Sequence, residues 1–220
     1  MKFTYKPGKG EKVHIYIDEK YYITTNIFLI KNIPFKNGCE ISDEDLNNLE
    51  LLIQENWFYE EGINFLSRRD YSKKELSDRI LRKAYEKDSL GRKEIFKTSL
   101  ENAVSKLEEK NILSEERFAK AYADELIRNK HLSKKGLILK LQSKGVRREI
   151  SEKIVENMDI NPEDEIYTLL KGKYKNRNLK DQKEKRRIYS ALGRLGYSYG
   201  EIKSVYERVV LEENDQELDC

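Results

Sequence analysis

The chain has 220 residues, enough for one large domain or two small ones, yet its 38% hydrophobic and 38% charged residues suit a compact globule poorly. Fourteen Tyr and seven Phe argue equally against disorder, so the composition fits a thin structure with much surface, as repeat arrays have. The net charge of +3 accompanies no apolar run near the roughly 20 residues that a helix needs to cross a bilayer, which argues against a membrane-spanning helix.

Met1-Lys-Phe-Thr-Tyr-Lys-Pro7 lacks the apolar core of a signal peptide. The first 35 residues read as β: Lys12-Val-His-Ile-Tyr-Ile17 alternates, Asp18-Glu19-Lys20 is a turn, and Tyr21 to Ile30 is rich in β-branched and aromatic residues. This predicts a hairpin, with room for one more strand, while Phe28-Leu-Ile30 also suits the opening of a short helix. Asn37-Gly38 is a turn signal. Cys39 and Cys220 form no close motif, which argues against a disulfide framework or zinc site and makes a reducing cytoplasm the default.

Ser42-Asp-Glu-Asp45 opens a helix, since the Ser oxygen accepts a backbone N–H and the acids suit the positive end of the dipole. Leu46, Leu49 and Ile53 follow at helical spacing, and a second run through Trp57 and Ile63 reaches Leu66. Further helices are expected from Ser72, where Glu75 completes a capping box, and over Arg92–Lys110, then from Ser114, Ser133 and Arg147 to Asn157. Asn161-Pro162 restarts the chain with a cap and a proline at the first helical position. The last helices are expected over Pro162–Tyr174, Asp181–Leu195 and Ser198–Leu211, with a frayed acidic end after Glu212.

These helices carry an internal repeat. Ser72-Lys-Lys-Glu-Leu76 returns as Ser133-Lys-Lys-Gly-Leu137 and more loosely as Glu184-Lys-Arg-Arg-Ile188. The register persists: Ile80 matches Leu141 and Leu192, and Lys144-Gly145-Val146 matches Leu195-Gly196-Tyr197. Charge is segregated as well, with eight acids and no Lys or Arg over 37–61, and eight Lys or Arg and no acid over 128–148. Nine cations face two acids over 171–187. The pattern divides the chain into a β-rich extension (1–41), helical repeats at 42–112, 113–160 and 161–211, and an acidic tail (212–220).

Phe65-Leu-Ser-Arg-Arg-Asp-Tyr-Ser72-Lys-Lys-Glu-Leu76 resembles the first-unit signature of the RecX family, regulators of the RecA recombinase. The similarity continues through Leu107-Glu-Glu-Lys-Asn-Ile-Leu-Ser114-Glu-Glu-Arg-Phe118-Ala119 and Lys134 to Val146. It is weaker over the third unit. Two departures stand out: Ser114 replaces the usual Asp cap, and Asn129-Lys130-His131-Leu132 lacks the expected Gly. The resemblance implies a mainly α fold of tandem three-helix repeats forming an elongated curved array, preceded by a small extension that contains a β-hairpin. It also implies a monomeric, non-enzymatic modulator that lies along RecA filaments on single-stranded DNA and interferes with ATP hydrolysis or strand exchange, some members binding single- or double-stranded DNA directly.

The residues suited to that role are the cationic pairs Lys73-Lys74, Lys134-Lys135 and Lys185-Arg186. The second of each pair sits about 200° around an ideal helix from Leu76, Leu137 or Ile188, so an inward anchor turns Lys74, Lys135 and Arg186 outward. Helix N-termini add free N–H groups for an approaching carboxylate or phosphate, and Arg68, Arg69, Arg147 and Arg148 extend the footprint. The competing reading is solvated helix starts without a partner. Phe118, Tyr122 and Leu126 read as core, whereas Tyr197 and Tyr199 suit exposed anchors or base stacking.

Catalytic signals are missing from the sequence: His14 and His131 are isolated, no Gly-rich phosphate loop carries a Lys, and the acids of 40–61 lack metal-ligand spacing. No enzyme activity and no cofactor are expected. A regulator acting on RecA filaments and a helical-repeat DNA-binding protein acting through phosphate contacts both remain open, beside a plain scaffold.

Overall fold

The structure, a computed structural model, describes residues 1–86 and 97–218, with side chains as far as Asn214. The chain forms two compact units, Met1–Ser114 and Glu115–Cys220.

In the first unit, β1 (Phe3–Pro7), β2 (Lys12–Ile17) and β3 (Lys20–Asn26) form an antiparallel sheet in that order. The expected hairpin is β2–β3, and β1 is the additional strand. Its two-residue turn places Asp18 (φ 48°) and Glu19 (φ 63°) in the left-handed region, which matches the twist of the flanking strands but suits glycine better than glutamate. Asp18 offsets part of that cost, because its carboxylate accepts the Lys2 N–H at 2.7 Å. Glu19→Gly is therefore expected to stabilise this unit by about 0.5–1 kcal/mol, read as a higher urea midpoint. A lower midpoint would mean that the turn is not strained.

The inward face of the sheet, Phe3, Val13 and Ile15, packs with Leu29 and Ile30 of α1 (Ile27–Asn32) and with Leu49 and Ile53 of α2 (Asp43–Leu66). The two runs expected between Ser42 and Leu66 are one uninterrupted helix, opened by a reciprocal capping box between Ser42 and Asp45. Its second half serves another core: Phe58 joins Leu76 and Ile80 of α3 (Lys73–Glu86) and Ala103, Val104 and Leu107 of α4 (Lys97–Glu109). The part of the expected Arg92–Lys110 helix before Lys97 lies outside the described residues. A polar seam aligns α2 with α4, where Glu55 is held by Lys106 and by Asn102 Nδ2 at 3.0 Å, and Ser99 Oγ donates to the Leu51 carbonyl at 3.0 Å. Burying Glu55 is tolerable because both its oxygens are satisfied.

The second unit contains α5 (Glu115–Lys130), α6 (Lys134–Ser143) and α7 (Arg148–Glu156), then α8 (Pro162–Lys171), α9 (Gln182–Arg194) and α10 (Tyr199–Leu218). Phe118, Leu126, Leu137, Leu141 and Val155 form the core of the first three. Ile166, Leu170, Ile188, Leu192, Val205 and Tyr206 form that of the last three. Tyr122 stacks on Phe118 with ring centroids 5.6 Å apart. The last helix, expected to end at Leu211, runs on to Leu218. Glu212 pins this end to α8, accepting from Tyr167 Oη at 3.0 Å and pairing with Lys171 at 3.2 Å, and the Lys171 contact holds its carboxyl below the usual range.

The repeat register has a physical basis in burial. Leu76, Ile80, Leu137, Leu141, Ile188 and Leu192 are all buried, at equivalent places on α3 and α6 and one turn further along on α9. The matching turns after α6 and α9 end the helices with Gly145 (φ 87°) and Gly196 (φ 98°), a backbone state that closes helix C-termini. Among the described residues no helix is long and apolar enough to cross a membrane.

Candidate partner-binding surface

Ser72 and Ser133 are buried caps whose side chains accept the N–H groups of Glu75 and Gly136, each at 3.1 Å. With Leu76 and Leu137 turned into the cores, Lys74 and Lys135 are exposed, as the helical geometry requires. Lys73 is also exposed but pairs with Glu108 of α4 at 2.8 Å. Lys134 is half-buried.

The third pair departs from the expected geometry. Asp181 caps α9, accepting from Lys183 and Glu184 N–H, so the helix begins before the cationic pair and Lys185-Arg186 occupy its second turn. No unsatisfied helix-start N–H groups accompany them. Lys185 lies over Tyr189 and Tyr206, its Nζ 5.6 and 5.5 Å from the two ring centroids, whereas Arg186 is exposed.

The accessory arginines are largely engaged. Arg69 covers the Tyr71 ring at 3.8 Å and lies 3.8 Å from Glu75. Arg147 is held by Glu115 through its backbone N–H (2.6 Å) and Nε (3.0 Å), and Arg148 pairs with Glu152 at 2.6 Å. Arg68, Lys74, Lys134, Lys135 and Arg186 are the cations of the predicted set with neither a carboxylate nor a ring partner among the described residues, and Lys185 has rings alone.

Tyr197 corrects the sequence reading. It is 4% exposed, and its hydroxyl donates to the His131 carbonyl at 2.7 Å, so it is a structural pin rather than an exposed anchor or stacking surface. Burial pushes its phenol above the ordinary tyrosine range. Tyr199 is 68% exposed, its ring 5.4 Å from that of Tyr189.

His131 answers the missing glycine. It adopts φ 51° itself, so it fills the left-handed position between α5 and α6, and its Nδ1 meets Glu165 at 2.6 Å. Its side chain thus gains a partner that glycine would forgo, while its backbone carries the turn.

Around the start of α6, the chain builds a groove of about 890 Å³, lined also by the start of α8 and the turn between α9 and α10. Lys134 and Lys135 line it, together with Lys140 and Arg194, which sequence reasoning left out. Lys140 was legible as a member of the acid-free stretch 128–148, whereas nothing local marks Arg194. The groove is held by close backbone contact: Ser133 N–H donates to the Leu195 carbonyl at 3.1 Å, and a Cβ on Gly136 would stand 2.3 Å from that same oxygen. Among the described residues, no group of three or more His, Cys, Asp or Glu is arranged to hold a metal ion.

No family model matches the chain. It is 25% identical over 186 residues to the regulatory protein RecX of Caldanaerobacter subterraneus subsp. tengcongensis, covering 84% of this chain and 89% of that protein. It is 22% identical over 209 residues to the regulatory protein RecX of Clostridium tetani, covering 91% and 89%. A third relative, the regulatory protein RecX of Clostridium perfringens (strain SM101), is 25% identical over 212 residues, covering 92% of each chain. Among solved structures, a crystal structure of regulatory protein RecX superposes with a TM-score of 0.69 at 17% identity, covering 94% of this chain and 98% of that one. That of RecX from Lactobacillus salivarius gives a TM-score of 0.55 at 19% identity, covering 72% and 97%. At these identities the two structures establish a shared fold.

Proposed function

We propose that this chain, similar over most of its length to regulatory RecX proteins, is a member of the RecX family and a non-enzymatic regulator of homologous recombination and DNA repair that binds RecA and its nucleoprotein filament. It inhibits RecA ATP hydrolysis and strand exchange, acting as a monomer in the cytoplasm. The observation that carries this reading is the repeated exposed lysine: Lys74 and Lys135 stand at the same place on α3 and α6, beside a capped helix start, with no carboxylate partner among the described residues. Lys134 at the start of α6 and Arg186 on α9 are further cations with no carboxylate partner among the described residues. Each such contact with an acidic partner is worth only ~0.2–1 kcal/mol. Several in series give fast, salt-sensitive association, which suits a modulator that must come and go.

A second reading, a helical-repeat DNA-binding protein, draws on Tyr199, an exposed ring on α10 next to Tyr189 of the helix that carries Lys185 and Arg186. One titration separates the two. The protein is added to RecA hydrolysing ATP on single-stranded DNA and, in parallel, to an unrelated DNA-dependent ATPase on the same DNA. The first reading expects RecA turnover alone to fall, at protein concentrations below that of RecA. Equal loss in both assays would transfer the function to DNA masking, and no loss in either would overturn both.

A further inference from the structure

We propose that the groove over the start of α6 is a docking site for an acidic protein segment that carries one aliphatic side chain. Lys134, Lys135, Lys140 and Arg194 all line the groove, and none has a carboxylate partner among the described residues. The carboxylate in the lining, Glu201, is already occupied: it accepts the Ser198 N–H and hydroxyl, both at 2.7 Å, as the reciprocal half of a helix cap. Four cations against that single carboxylate on a concave surface raise the local concentration of an acidic ligand, and the start of α6 adds its positive dipole end.

An apolar element accompanies the charge. Leu139 lines the groove and is 57% exposed, although its neighbours Leu137 and Leu141 on the same short helix are fully buried. It follows Lys135 by one helical turn, so the two share a face of α6. Ile160 and Pro162 contribute further apolar lining. A carboxylate-rich segment with a leucine-sized side chain would meet both kinds of surface at once.

A nucleic acid fits this lining less well. Bases need aromatic faces to stack on, and the aromatic residue of the groove, Tyr197, is buried with its hydroxyl committed to the His131 carbonyl. The site is also held in place before any ligand arrives, by that hydroxyl and by the Ser133–Leu195 backbone hydrogen bond, which lowers the ordering cost of docking.

The identity of the segment's owner as the RecA filament rests on the function proposed above; the groove chemistry does not. The test therefore has two arms, both on the full chain. In the first, Leu139→Glu and Arg194→Glu are compared with Lys74→Glu, which lies in the other unit, for binding to RecA filaments and to bare single-stranded DNA, with circular dichroism melting to show that each variant folds. Leu139→Glu and Arg194→Glu are expected to weaken filament binding by roughly fivefold or more, and Leu139→Glu to weaken bare-DNA binding no more than Lys74→Glu does. Wild-type filament affinity in Leu139→Glu overturns the proposal, and so does an equal loss toward bare DNA, which would make the ligand a phosphate backbone.

In the second arm, NMR follows titration with a synthetic peptide in which one leucine is flanked by glutamates. Shift changes confined to α6 and residues 193–201, abolished by Leu139→Glu, are expected whether or not RecA is the partner. If the wild type fails to bind filaments yet binds the peptide, the recombinase reading fails and the groove stands. Absence of these shifts at millimolar peptide overturns the groove.

Discussion

Gly136→Ala is expected to cost the second unit ~3 kcal/mol or more, seen as a large drop in the urea midpoint. Helix propensity alone predicts the opposite, a gain for alanine of up to ~1 kcal/mol, the helix-interior value. The sign is reversed by packing: the new Cβ would lie 2.3 Å from the Leu195 carbonyl oxygen and 3.2 Å from its carbon. Both are backbone atoms in the turn that Gly196 closes, so no flexible side-chain tip can yield. Overpacking typically costs 1–3 kcal/mol, and a rigid neighbour sets the upper end. The matching residue of the first unit, Glu75, already carries a long side chain, so Glu75→Ala should be mild by comparison. A Gly136→Ala midpoint equal to or above that of the parent would disprove the close approach of α6 to the α9–α10 turn.

Lys134→Glu combined with Lys135→Glu is expected to raise the concentration needed to inhibit RecA ATPase by about tenfold or more, with little change in the melting temperature. Reversal converts attraction to repulsion at two positions; at ~0.2–1 kcal/mol for each lost contact, plus a comparable repulsion, the sum reaches ~1.4 kcal/mol or beyond. Neither lysine is needed for a cation-to-carboxylate contact in the fold, since each lacks a carboxylate partner among the described residues. Arg147→Glu with Arg148→Glu should behave differently. Those arginines are already matched to Glu115 and Glu152, so reversal should disturb the link between α5 and α7 more than it disturbs inhibition. Equal loss of inhibition from both double variants would show that net charge, rather than place, governs binding. If the lysine reversal instead abolishes inhibition and DNA binding together, the DNA-binding reading gains the argument.

Much of the surface was legible because its signals are local. Ser72, Ser133 and Asn161 cap helices where their sequence context requires, and the anchors Leu76, Leu137 and Ile188 are buried at the phase that turns Lys74, Lys135 and Arg186 outward. The repeat alignment sets the third pair at a helix start, but the helix expected from Asp181 is capped by that residue, which leaves the pair one turn further in. Tyr197 looked like an exposed anchor because a tyrosine beside a glycine turn carries no mark of what will cover it; its partner is the carbonyl of His131, far away along the chain. The continuity of α2 was equally hidden, since one stripe serves the sheet and the next serves α3 and α4, and a helix that changes partner midway presents no single face.

The sequence by itself determined the mainly helical fold with its β-rich start, the repeated cap and anchor pattern, and the outward direction of the second cation in each pair. These depend on contacts within a helical turn or between neighbouring strands, which spacing encodes directly. The tertiary structure alone decided which cations are free and which are spent, and that Gly136 and Leu195 meet at the groove. Lys73 with Glu108, Arg147 with Glu115, and Ser133 with Leu195 are pairs distant in sequence, brought together only when buried helix faces pack. Packing of that kind depends on the shape of the whole unit, so no local pattern announces it.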